Sequence, residues 1–248
     1  MPEKGLIEKV IEAGRHAPSV GNNQTTHMIV ITDGEMLREP AVPVREEFAK
    51  MEITEGRINM KKVAVLWSSP NQDGLTASAK NQLIRGVEEA GAQIQEIHLN
   101  QKKLEHCRAC GNGWGTCRQK GECVIHDDFA GIYRTLREAD GIIWVSAVYW
   151  SDMTECFKAF FDRLRRCDAA YNRFLQDKRC LLVACAGGTG RGTLECLTQL
   201  ERGLTHMGMR AYDRIPVVRY NRDYMLPALA EAGKTYVARL ENGFDMYC

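Results

Sequence analysis

Residues 63–67 (VAVLW) form an unbroken apolar run that stops at Ser68, Ser69 and Pro70. A strand buried on both faces of a parallel sheet reads this way, with a loop at its carboxyl end. The same signature recurs at 141–147 (GIIWVSA) and 180–185 (CLLVAC), and more weakly at 215–218, while 94–99 (IQEIHL) alternates instead. Between these runs the apolar spacing turns helical: over 76–90, about 128–139, 154–166, 193–206 and 226–241. The helix at 154–166 carries its apolar residues at Phe157, Phe160, Phe161 and Leu164. Five strands alternating with helices predict an α/β fold, a five-stranded parallel sheet covered on both faces.

Upstream the pattern is different. Residues 6–15 have helical spacing and 27–32 (HMIVIT) read as a short strand, but 35–50 are polar, hold Pro40 and Pro43, and show no period. Residues 1–58 therefore read as an N-terminal extension, and 59–248 as the sheet domain. The 248 residues are 44% apolar, enough for a sizeable core. With 33 basic against 32 acidic residues, net charge gives no reason to expect nucleic acid or an anionic membrane as partner. The most apolar stretch, 141–150, is too short to span a bilayer as a helix. No apolar signal core follows Met1, Pro2, Glu3 and Lys4, so a cytoplasmic location is expected.

Parallel sheets bind ligands at the carboxyl ends of their strands, where the winding reverses. That directs attention to the loops 68–76, 146–152 and 186–192. The first is rich in hydroxyls, has no cationic side chain, and opens a helix; its N–H groups suit a monophosphate, or it is an ordinary capped turn. The second places Tyr149 beside Trp150, a wall for a planar heterocycle or packing beneath a neighbouring loop. The third contains Gly187, Gly188, Gly190 and Gly192, which either let the backbone approach a flat ligand or form a flexible turn.

Of ten cysteines, Cys107, Cys110, Cys117 and Cys123 fall within one short loop. Four clustered thiols in a chain of this kind suit an iron–sulfur cluster, a structural zinc, or thiols that pack the loop without metal. His106 and His126 flank them as alternative ligands.

From residue 61 to about 205 the chain resembles the NADPH-dependent FMN reductase branch of the flavodoxin-like superfamily. The G-S-P-R-x-x-G-N-T loop of that branch is matched by S-S-P-N-Q-D-G-L-T at 68–76, with Asn71 in place of the basic residue and Leu75 in place of Asn. Its C-x-x-C segment running into G-x-C-x-x-x-D-D is matched by Cys107 and Cys110, then by 121–128. A-D-G-I-I-x-x-S-P-V-Y-W is matched at 139–150, with Ala147 in the proline position, and K-x-F-x-D-R at 158–163. The resemblance implies a flavodoxin-like three-layer sandwich. It implies FMN phosphate at Ser69, Gly74, Leu75 and Thr76, and isoalloxazine contacts from Ala147, Val148, Tyr149, Trp150, Gly187 and Gly188. The iron–sulfur flavoproteins of the branch imply a 4Fe-4S cluster at Cys107, Cys110, Cys117 and Cys123. NAD(P)H is the expected co-substrate, a small molecule or a protein the electron acceptor, and a homodimer or homotetramer the expected assembly. Residues 11–33, with A-P-S-x-x-N-x-Q at 17–24, resemble a stretch near the N-terminus of nitroreductases. The flavin carries the chemistry, so no side chain is expected to act as acid or base.

Overall fold

The structure, a computed structural model, describes residues 60–242. The extension expected over 1–58, with its helix and short strand, lies outside the described residues. Strands β1 (Lys62–Ser68), β2 (Gln93–His98), β3 (Gly141–Ala147), β4 (Arg179–Ala186) and β5 (Arg210–Val218) form one parallel sheet in the order β2-β1-β3-β4-β5. The chain leaves β1 in one direction to make β2 and returns past it to make β3. The winding therefore reverses between β1 and β3, which opens a crevice at their carboxyl ends.

Side chains alternate along each strand, so each strand feeds two cores. Ala64 and Leu66 of β1 join Ile142 and Trp144 of β3 under helices α3 (Phe129–Glu138), α4 (Glu155–Asp168) and α5 (Thr193–His206). Val63, Val65 and Trp67 join Ile143 and Val145 under α1 (Leu75–Glu89) and α6 (Arg222–Asn242). Double coverage explains why β1, β3 and β4 read as solid apolar runs. Phe157 and Phe160 are fully buried, and each contributes about 2 kcal/mol by leaving water.

Glycine brings α1 and α6 together. A Cβ on Gly86 would lie 1.9 Å from the Ala230 carbonyl oxygen, and one on Gly233 would lie 2.6 Å from that of Leu83. The fully buried Tyr236 of α6 reaches across the sheet, where its hydroxyl accepts from Ile142 N–H (2.8 Å) and donates to the Arg179 carbonyl (2.7 Å).

Three elements differ from the expectation. Strand β5 is longer, starting at Arg210 rather than 215. Its first half, Arg-Ala-Tyr-Asp-Arg, is mostly exposed at the sheet edge, so no apolar run announces it. Helix α6 starts at Arg222, its first turn hidden by polar residues ahead of Pro227. A one-turn helix, α2 (Thr116–Lys120), sits inside the cysteine loop. No described helix is long and apolar enough to cross a membrane.

Candidate functional site

Strand β1 delivers Ser68 and Ser69 to the crevice. Ser68 is fully buried, and its hydroxyl lies 3.0 Å from Asn100 Oδ1 and 3.0 Å from Cys156 Sγ, and against the Thr154 hydroxyl. Thr154 is the N-cap of α4, accepting from Phe157 N–H, so β1 and α4 are locked together here. The Ser69 hydroxyl accepts from Asn71 N–H (3.2 Å), and its carbonyl lies 2.9 Å from His98 Nε2. A carbonyl can only accept, so that ring nitrogen carries the proton. The His98 ring stacks on Trp67 at 3.7 Å between centroids. Trp67 Nε1 donates to Glu96 (2.8 Å), which also pairs with the nearly buried Lys80 at 2.8 Å. Lys80 is thereby committed beneath the loop, leaving a loop without a free cation of its own.

Helix α1 opens on Gly74 with no side-chain cap. The N–H groups of Leu75, Thr76 and Ala77 have no intrahelical carbonyl to bind, and they carry the positive end of the helix dipole. The Thr76 side chain is itself buried and lies against the Cys185 thiol. Its remaining contribution to an anion site is the N–H. Ser69 is also nearly buried, whereas Gly74 and Leu75 are partly exposed at the loop.

The second loop continues the sheet for one residue, since Val148 N–H donates to the Cys185 carbonyl at 3.0 Å. Tyr149 and Asp152 then exchange two backbone bonds (2.8 and 2.9 Å) around Trp150 and Ser151, both with positive φ (47° and 65°). This is a type I′ turn built without glycine, a strained choice for Trp and Ser. It leaves Trp150 wholly exposed and Tyr149 about half exposed. In the third loop, Gly187 and Gly188 are exposed, with nothing within 4 Å of a Cβ built on either. Gly192 (φ 83°) packs against the aromatic turn, because a Cβ there would lie 2.7 Å from Ser151 Cα.

The three loops thus meet at one edge. Thr76 touches Cys185 at the end of β4, Gly192 touches Ser151, and Ser68 joins Thr154. Hydroxyl and N–H donors at α1, an exposed aromatic pair and an open glycine edge match the needs of a phosphorylated planar heterocycle.

The cysteine loop forms a second feature. Cys107, Cys110, Cys117 and Cys123 line one cavity, with about 360 Å³ of non-atom space, part of it open to solvent. None of the described cysteines is in a disulfide. A Cβ on Gly115 would lie 3.1 Å from Cys110 Cβ, so glycine lets the loop close around the thiols. Among the described residues no three His, Cys, Asp or Glu side chains converge on one metal ion. Four thiols around one cavity are a donor set that suits a 4Fe-4S group, which gives each thiolate its own iron, or a structural zinc. His106 instead faces Glu155 at 3.7 Å, and neither His106 nor His126 lines the cavity.

A buried ion pair clamps the ends of this loop. Arg163 of α4 forms two bonds to Asp127 (2.6 and 2.9 Å), and bonds the carbonyls of Glu105 (3.0 Å) and Ile125 (3.5 Å). Asp127 also accepts from Glu105 and Phe129 N–H, and Asp128 from Lys103 N–H. Burial pushes the Asp127 carboxyl up, but Arg163 and the two backbone N–H groups outweigh it and hold the carboxyl below its usual range. A fifth thiol, Cys167 of α4, lines the same cavity, and burial, with the neighbouring Cys123 and Cys117, pushes it up to about 12. In the cysteine loop, exposed Trp114 lies under the guanidinium groups of Arg118 (5.8 Å), Arg165 (5.8 Å) and Arg166 (4.8 Å), the last of which also lines the cavity.

Sequence reasoning missed His98, Cys167 and the pairing of Asp127 with Arg163. The last was within reach, because both ends lie in motifs that the resemblance had marked.

A family model for nitroreductases matches residues 1–107, less than half of the chain. An iron-sulfur flavoprotein of Archaeoglobus fulgidus is 34% identical over 105 residues, which is 42% of this chain and 46% of that one. One of Methanosarcina thermophila is 36% identical over 77 residues, 31% of this chain and 38% of that one. These matches span about half or less of the length of those curated relatives. Among solved structures, an NAD(P)H:quinone oxidoreductase from Methanothermobacter marburgensis aligns with TM-score 0.56 and 18% identity, over 71% of this chain and 97% of that one. An archaeal flavodoxin aligns with TM-score 0.51 and 16% identity, over 73% and 99%. At such identities these likenesses establish the flavodoxin-like fold. The model for NADPH-dependent FMN reductase matches residues 61–220, well over half of the chain, and the chain belongs to that family.

Proposed function

We propose that this protein is an FMN-dependent NAD(P)H oxidoreductase that passes electrons to an acceptor by way of an iron–sulfur cluster in its cysteine loop. The observation that carries this reading is the meeting of three loops at the β1–β3 crevice, each with a different part of a flavin mononucleotide site. Ser69 and the N–H groups of Gly74, Leu75 and Thr76 hold the phosphate, with His98 fixing the loop from beneath. Ala147, Val148, Tyr149 and Trp150 wall one side of the ring system. The exposed backbone at Gly187 and Gly188 offers N–H donors where negative charge grows as the ring is reduced. FMN, when bound, supplies hydride acceptance and single-electron release, so no residue need act as acid or base. Cys107, Cys110, Cys117 and Cys123 hold the cluster, and Arg163 with Asp127 keeps their loop folded.

The test is an anaerobic absorption spectrum of the purified chain, with iron and sulfide analysis and steady-state NADH and NADPH oxidation. Stoichiometric FMN, about four irons per chain and nicotinamide oxidation are expected. A colourless protein overturns the reading, and FMN without iron removes its cluster.

A second reading is an electron-transfer flavoprotein reduced by a ferredoxin-like partner. The arginines gathered over Trp114 of the cysteine loop favour it, since an acidic redox protein would be drawn to that face. Absent nicotinamide oxidation alongside rapid reduction by such a partner would select it.

A further inference from the structure

We infer that Arg163 does more than close the cysteine loop: its buried guanidinium donates to the Cys123 sulfur and sets the charge balance, and so the redox potential, of the centre those thiols hold. The inference rests on the reading of the four cysteines as an iron–sulfur site. Arg163 is 1% exposed and lines the cavity with all four of them. Four of its N–H groups are spent, two on Asp127, one on the Glu105 carbonyl and one on that of Ile125. The fifth, on Nε, is buried and has no acceptor. A buried charged donor without a partner is rare and costly, so its presence asks for an acceptor. Of the four loop cysteines, Cys123 is the one whose sulfur interacts with this guanidinium, and Cys167, one turn along α4, also lies within reach of its charge.

The charge argument points the same way. Four thiolates around one cavity repel each other, and an added electron raises the negative charge further. The other arginines lining the cavity are committed elsewhere: Arg108 pairs with Glu105 and is well exposed, while Arg166 bonds the Gly113 carbonyl and covers Trp114. Arg163 is the lining cation that solvent does not screen. A donor held at a cluster sulfur favours the reduced form, because hydrogen bonds and burial are among the terms that set such potentials. Asp127 opposes it with a negative charge at the same place. The two residues therefore do the same thing for folding but act in opposite directions on the centre.

That opposition supplies the experiment. The full chain is reconstituted anaerobically with iron and sulfide, and wild type, Arg163→Gln and Asp127→Asn are compared. FMN content reports the fold, iron content the centre, and an EPR-monitored titration its midpoint potential. In Arg163→Gln the ratio of reduced to oxidised cluster at a fixed potential should fall about tenfold, about 59 mV for a one-electron couple. In Asp127→Asn it should rise, with FMN content unchanged in both. Shifts in the same direction, or no shift with iron retained, reduce Arg163 to a structural clamp and overturn the inference. If Arg163→Gln holds no iron, Asp127→Asn decides: an upward shift supports the inference and an unmoved potential overturns it. Wild type that binds FMN but no iron overturns the cluster reading itself, and this inference with it.

Discussion

His98 and Trp150 show how single residues set the crevice. His98 is nearly buried, stacked on Trp67, and bonded to the Ser69 carbonyl at 2.9 Å. Its loss frees the loop that precedes α1 without removing any group that touches a ligand. His98→Ala should raise the FMN dissociation constant about threefold to tenfold, the value of one hydrogen bond, as measured by flavin fluorescence titration. Trp150 is the opposite case, wholly exposed and in a left-handed conformation. Its side chain adds nothing to the core and its backbone costs about 1–2 kcal/mol. Trp150→Gly should therefore raise the urea midpoint of the apoprotein while weakening FMN binding by about 1 kcal/mol of lost stacking. A variant that is stabilised but binds FMN normally would remove Trp150 from the site. Tyr149, Trp150, Gly187 and Gly188 stood out in the sequence because aromatics and glycines at strand ends are conspicuous. His98 did not, since it reads as one more residue of an alternating strand, and its role depends on what lies across from it.

Between elements, two contacts dominate. Helices α1 and α6 meet through Gly86 and Gly233. A methyl at Gly86 would strike the backbone of α6 rather than a movable side chain, so Gly86→Ala should destabilise the fold by about 1–3 kcal/mol, read as a drop in denaturation midpoint. The cysteine loop is clamped through Asp127 and Arg163. The Asp127 carboxyl is held below its usual range in the folded chain, so its contribution is complete above the unfolded value of about 3.9 and is lost as pH falls through the lower folded value. Asp127→Asn should cost about 1–3 kcal/mol at neutral pH. That difference from wild type should shrink as unfolding is measured at successively lower pH below about 4. Most elements were legible because β1, β3 and β4 are apolar throughout and the helices carry a clear stripe. The front half of β5 and the one-turn α2 were not: one is a polar edge strand, and the other is too short to have a period.

For the whole molecule, the question is how many sulfurs the centre uses. Five thiols line the cavity, but Cys167 belongs to α4 and is 1% exposed. It is held in the packed core of α4 outside the cysteine loop, so Cys167→Ala should keep full iron content, whereas Cys107→Ala or Cys123→Ala should lose most of it under the same reconstitution. Full iron in all three variants would mean that the thiols are not the ligands. The sequence by itself determined the alternation of strands and helices, hence the doubly wound sheet, the three loops at its carboxyl edge and the four-cysteine loop. Each of these is a local matter, set by period, glycine placement and spacing, and local patterns survive in one dimension. Only the tertiary structure decided which donors remain free. It turned the Thr76 side chain inward to Cys185, used Lys80 on Glu96, seated Gly192 on the aromatic turn and brought Arg163 and Cys167 to the cysteines. These are contacts between residues far apart in the chain, and no spacing records them, because packing chooses partners only once the sheet has been wound.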